Sequence, residues 1–304
     1  MLLVVVAAAG AGALRWWRHP ASRSQLGQAA YAQTEAILAL GPRPPGSAGL
    51  KAVRNLVTAQ LHQAGWVTAV QTFEHDTPEG RVTFENLRAR FPAAARDPWT
   101  QPVSGLLCAH LDSKLFKDER FLGADDAASA CAAIVEIARF LAAEKPHQAQ
   151  SLELVFFDGE ESFGPHITAA DGLYGSRHYA NQWRPRPDKP RFGILLDMIG
   201  HDNLSIRLPT DTPPHLLDRV LAAAKAEGAS SHFGMASGPI IDDHVPLNSA
   251  GIPTVDLIGD FGQAAWWHRP TDRLNILSAR SLDLSIRVTL RLLDESLATP
   301  PAKP

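Results

Sequence analysis

Hydrophobic and polar positions along this chain follow two different periods. Short apolar runs rich in β-branched and aromatic residues predict strands, and longer segments with apolar residues at helical spacing predict helices. The predicted strands are Trp66–Glu74, Arg81–Phe91, Val103–His110, Ser151–Phe157, Phe192–Met198 and Ile252–Leu257. The predicted helices are Ser24–Leu40, Leu50–Ala64, Ala127–Ala143, Leu173–Trp183, Pro213–Glu227 and Ser278–Leu297.

The order of these elements predicts an α/β fold. The first two strands form an expected hairpin, and helices separate the later strands, so we expect a mixed, mostly parallel central sheet flanked by helices on both faces. The chain has 304 residues, of which 45% are hydrophobic, and no polar Gly/Ser/Pro tract divides its interior. We therefore expect a single globular catalytic domain over residues 21–300.

The first 20 residues have a different character. The stretch "MLLVVVAAAGAGAL" is apolar and uncharged, and its 14 residues are fewer than the roughly 20 that span a bilayer as a helix. It resembles the apolar region of a secretory signal, with Ala9, Ala11 and Ala13 as small residues for cleavage. Trp16 and Trp17 between arginines would equally suit the interfacial end of a membrane anchor, and a buried first strand is a third interpretation. We expect an exported protein, either periplasmic, secreted or anchored by this segment.

Charge and cysteine content exclude several classes of protein. The formal charge of −3 gives no electrostatic reason to expect a nucleic-acid partner, and the two cysteines are too few for a disulfide scaffold or a zinc–thiolate cluster. We expect a monomer whose partners are its substrates.

Side chains that bind metals collect where predicted strands end. They are His110 and Asp112, Asp125 and Asp126, Glu160 and Glu161, Asp197, and His268. Ligands bind beyond the carboxyl ends of strands in open α/β sheets, and buried acids are costly without a cation or a partner. Because zinc binds carboxylate and imidazole groups readily, this pattern predicts a zinc site. Either Asp125 or Asp126 alone could instead cap the following helix, although two acids exceed what a cap requires.

These motifs resemble those of a known family. The pattern H-x-D, G-A-x-D, G-E-E, a strand-end D and a final H is similar to that of the zinc aminopeptidase clan of metallo-exopeptidases. Within this clan, the animal-type glutaminyl cyclases (glutaminyl-peptide cyclotransferases) are the better match over residues 45–280. The similar stretches are "HLDSK", "GADDAASACAAIVEIAR", "FFDGEESF", "DGLYGSRHYA", "LLDMIG", "DDHVPLNSAGIP" and "WH" before "RPTD". The "DDH" triplet, where the aminopeptidases usually have "SDH", favours the cyclases.

The resemblance implies a zinc-dependent enzyme that cyclises the N-terminal glutamine of peptides or proteins to pyroglutamate and releases ammonia. The implied site residues are Asp126, Glu161 and His268 as ligands of one zinc ion, Glu160 as general acid/base, Asp197 and Asp242 as acids that hydrogen-bond near the base and the leaving group, and Trp267 as a substrate-binding wall. Core packing is the alternative interpretation of Trp267. The resemblance also implies a cis peptide bond after Asp126.

The chain departs from the family at several positions. The animal enzymes pair two cysteines, but Ala109 separates Cys108 from His110, and a shift of one residue turns a strand side chain to the opposite face. We therefore do not expect Cys108 to pair with Cys131. A family tryptophan in the loop after "GEE" is replaced near Ile167. Asp256 stands where the family usually has a histidine, and its role is left open.

Two other functions compete with the cyclase. A two-zinc aminopeptidase would need His110 and Asp197 as additional ligands, and both are present, although one zinc ion is favoured. A non-catalytic ectodomain would keep the fold and bind a partner. The presence of Glu160 beside all three ligands argues against such a module, which has no need of a free base near a metal.

Overall fold

A computed structural model of the chain describes residues 25–93 and 97–298. Its helices are α1 (Leu26–Leu38), α2 (Ala48–Gln63), α3 (Ala130–Glu144), α4 (Pro146–Ala149), α5 (Tyr174–Trp183), α6 (Pro214–Ala226), α7 (His244–Ser249) and α8 (Ala279–Ala298). Its strands are β1 (Val67–Thr77), β2 (Gly80–Arg90), β3 (Gly105–His110), β4 (Leu152–Phe157), β5 (Phe192–Asp197), β6 (Ile206–Leu208), β7 (Phe233–Met235) and β8 (Thr254–Gly259). The predicted leader, residues 1–20, lies outside the described residues.

The strands form one sheet in the order β1-β2-β4-β3-β5-β8-β6-β7. Strands β1 and β2 form an antiparallel hairpin, and β2 pairs antiparallel to β4. Strands β4, β3, β5 and β8 are mutually parallel, so their carboxyl ends lie along the same edge of the sheet. The predicted hairpin and the mixed, mostly parallel sheet are confirmed.

Helices cover both faces of the sheet, so the central strands β3, β4, β5 and β8 are buried on both sides. Leu107, Ala109 and Phe156 contribute to the core that α1, α3 and α8 cover, whereas Leu106 and Val155 face the smaller core beneath α5 and α7. A single α/β domain with helices on both faces is thus confirmed. Within the described ranges, no helix is both long and apolar enough to cross a membrane.

The structure differs from the predicted boundaries at short or irregular elements. Helix α3 begins at Ala130 rather than Ala127, because residues 124–129 form a wider turn in which Asp126 and Ala127 have non-helical dihedral angles. Strand β8 ends at Gly259, two residues later than predicted. The three-residue strands β6 and β7 and the six-residue helix α7 were not predicted, since such short elements contain too few residues to establish a period.

The two cysteines lie on opposite sides of the sheet. Cys108 belongs to the core beneath α5 and α7, and Cys131 belongs to the core on the other face. Both thiols are free, and Cys131 Sγ donates a hydrogen bond to the carbonyl oxygen of His110. Cys108 thus faces away from Cys131, as the alternation of side chains along the strand predicts.

Candidate active site

The predicted site residues meet at the carboxyl edge of the sheet. His110 is the last residue of β3 and pairs with Phe157, the last residue of β4, so Glu160 and Glu161 emerge beside it. Asp197 is the last residue of β5. Parallel pairing of neighbouring strands therefore brings residues that are far apart in sequence together in one cluster.

Asp126, Glu161 and His268 form one group of potential metal ligands. Nε2 of His268 lies 3.4 Å from Oδ2 of Asp126 and 3.3 Å from Oε1 of Glu161. One ligand atom from each residue lies within 4.8 Å of the others, a spacing that a single cation can bridge. Oε1 of Glu161 is buried and has no hydrogen-bond partner among the described residues, so it is available to a cation.

A second group shares Asp126 with the first. His110, Asp126 and Asp197 also place one donor atom each within 4.8 Å of one another. Nε2 of His110 is 3.1 Å from Oδ1 of Asp126 and 3.5 Å from Oδ1 of Asp197. The two oxygens of Asp126 thus face two different histidines, one in each group.

The turn that carries Asp126 is held by buried polar groups. The peptide bond between Asp126 and Ala127 is cis, as predicted. The carboxylate of Asp272 accepts hydrogen bonds from the backbone N–H groups of Asp125, at 2.8 Å, and Asp126, at 3.2 Å. Asp125 Oδ1 accepts a hydrogen bond from Gly200, and no side chain caps this helical turn, so the capping interpretation of the two acids is wrong.

Arg43 also holds this turn in place. Its guanidinium is buried and donates to the carbonyl oxygens of Leu111, Leu122 and Gly123. Gly123 has a φ of +55°, and a Cβ there would lie 2.0 Å from the carbonyl oxygen of Asp126, so only glycine fits. Arg43 and Gly123 together fix the loop that presents Asp126.

Asp112 holds the two neighbouring glutamates in a similar way. Its Oδ1 accepts from the N–H of Glu160 and its Oδ2 from the N–H of Glu161, each at 3.2 Å. Lys114 lies beside Glu161, with Nζ 3.5 Å from Oε2, and donates to the carbonyl oxygen of Ser162 at 2.8 Å. The backbone of both glutamates is therefore fixed, which leaves their side chains free for different roles.

Glu160 and Asp197 are in an environment that favours proton exchange. Burial raises the pKa of Glu160 well above its usual value; His110 opposes this rise, and Glu161 and Asp242 add to it. Burial likewise raises the pKa of Asp197 to about 6, although the hydrogen bond to His110 lowers it. A carboxyl group with an elevated pKa can accept and return a proton near neutral pH.

A cavity of about 290 Å³ opens over these residues. Its acidic wall comprises Asp126, Glu160, Glu161, Asp197 and Asp242, and its other side is mainly apolar. Trp267 is half-buried rather than enclosed in the core, and its ring stacks on that of His268 with centroids 4.2 Å apart. Ile167, near which the chain replaces the family tryptophan, lines the cavity.

The structure gives three supporting residues roles that the sequence does not predict. Asp112 belongs to the predicted metal-binding side chains but to none of the ligand groups, and it holds the backbone of Glu160 and Glu161 instead. The sequence assigns no role to Asp272 of the "RPTD" motif. Arg43 belongs to no recognisable sequence motif. It donates to backbone carbonyl groups, and these lie near Arg43 only in the folded chain.

Comparison with known proteins identifies the family. The model of peptidase family M28 matches residues 86–293, which include every predicted site residue. The chain therefore belongs to peptidase family M28. Family M28 membership agrees with the resemblance to the zinc aminopeptidase clan.

Relatives of this M28 chain include glutaminyl cyclases. The glutaminyl-peptide cyclotransferase of Bos taurus is 31% identical over 288 residues, which cover 79% of this chain and 74% of the bovine protein. A glutaminyl cyclase from an Acidobacteriales bacterium is 29% identical, has a TM-score of 0.80, and covers 92% of this chain and 96% of its own. A Zn-dependent exopeptidase from Parabacteroides distasonis is 25% identical, with a TM-score of 0.76 and coverage of 88% and 97%. The predicted family resemblance is confirmed.

Proposed function

We propose that this M28 chain is a glutaminyl-peptide cyclotransferase that uses one zinc ion to convert N-terminal glutamine of peptides or proteins into pyroglutamate. The observation that carries the proposal is the pair Glu160 and Glu161 at the end of β4, in a chain 31% identical to a known cyclotransferase. Glu161 belongs to the group with Asp126 and His268, whereas Glu160 lines the cavity outside that group.

The residues present fit a zinc ion. Asp126, Glu161 and His268 supply two carboxylates and one imidazole within 4.8 Å, and three protein ligands leave a coordination position for substrate. A zinc ion held there would polarise the substrate's γ-carbonyl group as a Lewis acid. Asp112 and Asp272 support the backbone of the ligands, as outer partners do at metal sites.

The reaction forms one C–N bond and breaks another. The substrate's α-amine attacks the γ-carbonyl carbon of its own side chain, and the side-chain amide nitrogen leaves as ammonia. Glu160 takes a proton from the α-amine and delivers it to the departing nitrogen, so the carboxylate is regenerated. The nucleophile and the electrophile belong to one residue, so holding that residue in a folded conformation lowers the entropic part of the barrier.

The cavity supports recognition of a single N-terminal residue. Its volume of about 290 Å³ lies at the small end of the range for ligand pockets, which suits one side chain better than a long peptide segment. We assign Trp267 to the wall against the substrate, and Asp197 and Asp242 to hydrogen bonds with the base and the leaving group. The family tryptophan is replaced near Ile167, which lines the cavity, so we expect a wider preference for the residue after glutamine.

A two-zinc aminopeptidase is the second candidate function. The two oxygens of Asp126 face His110 and His268, an arrangement suited to a carboxylate that bridges two ions. The similar Parabacteroides distasonis protein is a Zn-dependent exopeptidase. Under this alternative, His110 and Asp197 would hold the second ion, and N-terminal residues would be released as free amino acids.

We also propose that the protein is exported, either periplasmic, secreted or anchored by the apolar segment at residues 1–20, and that it acts as a monomer. Fractionation of the cells that produce it and N-terminal sequencing of the mature protein test both export and cleavage. Recovery in the cytoplasm with Met1 retained contradicts the proposal.

Product analysis distinguishes the two enzymatic functions. A glutaminyl peptide and a matched leucyl peptide are incubated with purified protein, and ammonia, free amino acids and peptide mass are measured. We expect ammonia and a peptide with a blocked N-terminus from the glutaminyl substrate, and no change in the leucyl substrate. Release of free glutamine or leucine without pyroglutamate contradicts the cyclase and supports the aminopeptidase.

A further inference from the structure

A third group of potential ligands lies beside the cavity, at the junction of β8 and α7. Asp242 precedes α7, His244 is the first residue of that helix, and Asp256 lies in β8. One donor atom from each of the three residues lies within 4.8 Å of the others. This group shares no residue with the groups around Asp126.

The polar atoms of this group lack partners although they are buried. Asp256 and His244 have no solvent exposure, and Asp242 has 3%. Both ring nitrogens of His244, both carboxylate oxygens of Asp256 and Oδ2 of Asp242 make no hydrogen bond of normal geometry with the described residues. Nδ1 of His244 faces Oδ2 of Asp256 at 3.4 Å, a contact rather than a well-formed hydrogen bond. Buried polar groups normally have a partner, so either a shared proton or a bound cation must lie between these atoms.

The acids of this group need neutralisation. Asp242 and Asp256 are both buried, and one carboxylate oxygen of each lies within 4.8 Å of the other. Two carboxylates buried this close together must hold a proton or a cation between them.

The orientation of His244 favours a cation. Its Nδ1 faces Asp256, and its Nε2 lies 3.6 Å from Oδ2 of Asp211 on the other side of the ring. Histidines that bind metals usually direct their second ring nitrogen towards a carboxylate or carbonyl oxygen, which fixes the ring. A proton shared between two acids would not require such a histidine.

We propose that Asp242, His244 and Asp256 bind a divalent transition-metal cation, Zn²⁺ or Mn²⁺, at a site separate from the proposed catalytic ion. Two carboxylates and a neutral imidazole balance the charge of a divalent ion, and this donor set suits both metals. The ion connects β8 to the start of α7. It thereby fixes the carboxylate of Asp242, which lines the active-site cavity.

Anomalous diffraction from the wild-type protein tests the site directly. Crystals are grown with Zn²⁺ and measured on both sides of the zinc absorption edge. We expect a peak about 2.0–2.2 Å from a nitrogen of His244 and from carboxylate oxygens of Asp242 and Asp256. A zinc peak among Asp126, Glu161 and His268, with none in the Asp242 group, overturns the proposal while leaving the catalytic ion in place.

Metal content of variants provides a second test that does not depend on activity. His244→Gln and Asp256→Asn should each lose one equivalent of bound zinc relative to the wild type. Asp243→Asn is the matched control, since Asp243 is equally buried but lies outside the group, and it should keep the wild-type content. Unchanged zinc content in His244→Gln and Asp256→Asn overturns the proposal. An infrared carboxylic-acid band that Asp256→Asn removes and His244→Gln keeps would then show that the two acids share a proton instead.

Discussion

Asp112→Asn tests whether the backbone of the two glutamates must be fixed for both metal binding and catalysis. The Asp112 side chain is fully buried, and its two oxygens accept from the N–H groups of Glu160 and Glu161. Asparagine has the same size but only one acceptor oxygen. One backbone N–H therefore faces an NH₂ group that cannot accept its hydrogen bond, and the remaining bond loses its ionic acceptor.

The size of the effect follows from these two hydrogen bonds. A hydrogen bond to a charged group contributes about 1.5–3 kcal/mol, and an unpaired buried donor costs a similar amount. For a domain of this size, about 2–4 °C of Tm corresponds to each kcal/mol, so the loss of one bond should lower Tm by about 3–12 °C. Loss of an outer partner typically weakens metal affinity about 10–100-fold, so zinc binding through Glu161 should weaken to this extent.

Thermal unfolding and zinc titration of purified Asp112→Asn measure both effects. The control is Asp188→Asn, which removes an exposed ion pair to Arg186 at the surface. Such a pair contributes about 0.2–1 kcal/mol, so the control should keep its zinc affinity and nearly all of its Tm. The reasoning is refuted if Asp112→Asn matches Asp188→Asn in both Tm and zinc affinity.

Two further predictions concern substrate binding and the cysteines. Trp267→Ala should raise KM for a glutaminyl peptide by up to about tenfold, since an aromatic contact contributes roughly 0.5–1.5 kcal/mol. Trp267→Phe keeps an aromatic ring and should change KM less. Equal KM values for both variants and the wild type in steady-state assays would contradict a substrate-binding role. Cys108 and Cys131 are free and lie on opposite faces of the sheet. Both should therefore react with a thiol reagent once the protein is unfolded without reductant. Protection of both thiols would reveal a disulfide.

Much of the fold could be predicted because its signals are local. The apolar runs of β3, β4, β5 and β8 and the helical periods between them predict parallel pairing. That pairing then predicts that residues at the strand ends, such as His110 and Asp197, lie near each other. The face of Cys108 also followed from alternation along a strand, without knowledge of its neighbours.

The remaining features depend on contacts between distant parts of the chain. Arg43 acts through carbonyl groups of Leu111 and Gly123, and a donor to a backbone carbonyl leaves no pattern in the sequence of its partner. Asp256 differs from the family residue, and its significance emerges only when β8 brings it to within 3.4 Å of His244. Propensity and periodicity cannot reveal either arrangement.

The most direct test of the proposed site compares Glu160→Gln with Glu161→Gln, with zinc content and ammonia release measured on the same preparations. Glutamine keeps the size of glutamate but cannot accept and return a proton, and its neutral oxygen is a weaker metal ligand. Glu160→Gln should keep its zinc while turnover falls by about 10²–10⁴-fold, the usual contribution of general acid/base catalysis. Glu161→Gln should first lose zinc and should regain part of its activity in excess zinc. Loss of zinc from Glu160→Gln, together with full retention in Glu161→Gln, would contradict the assignment of the base and the ligand.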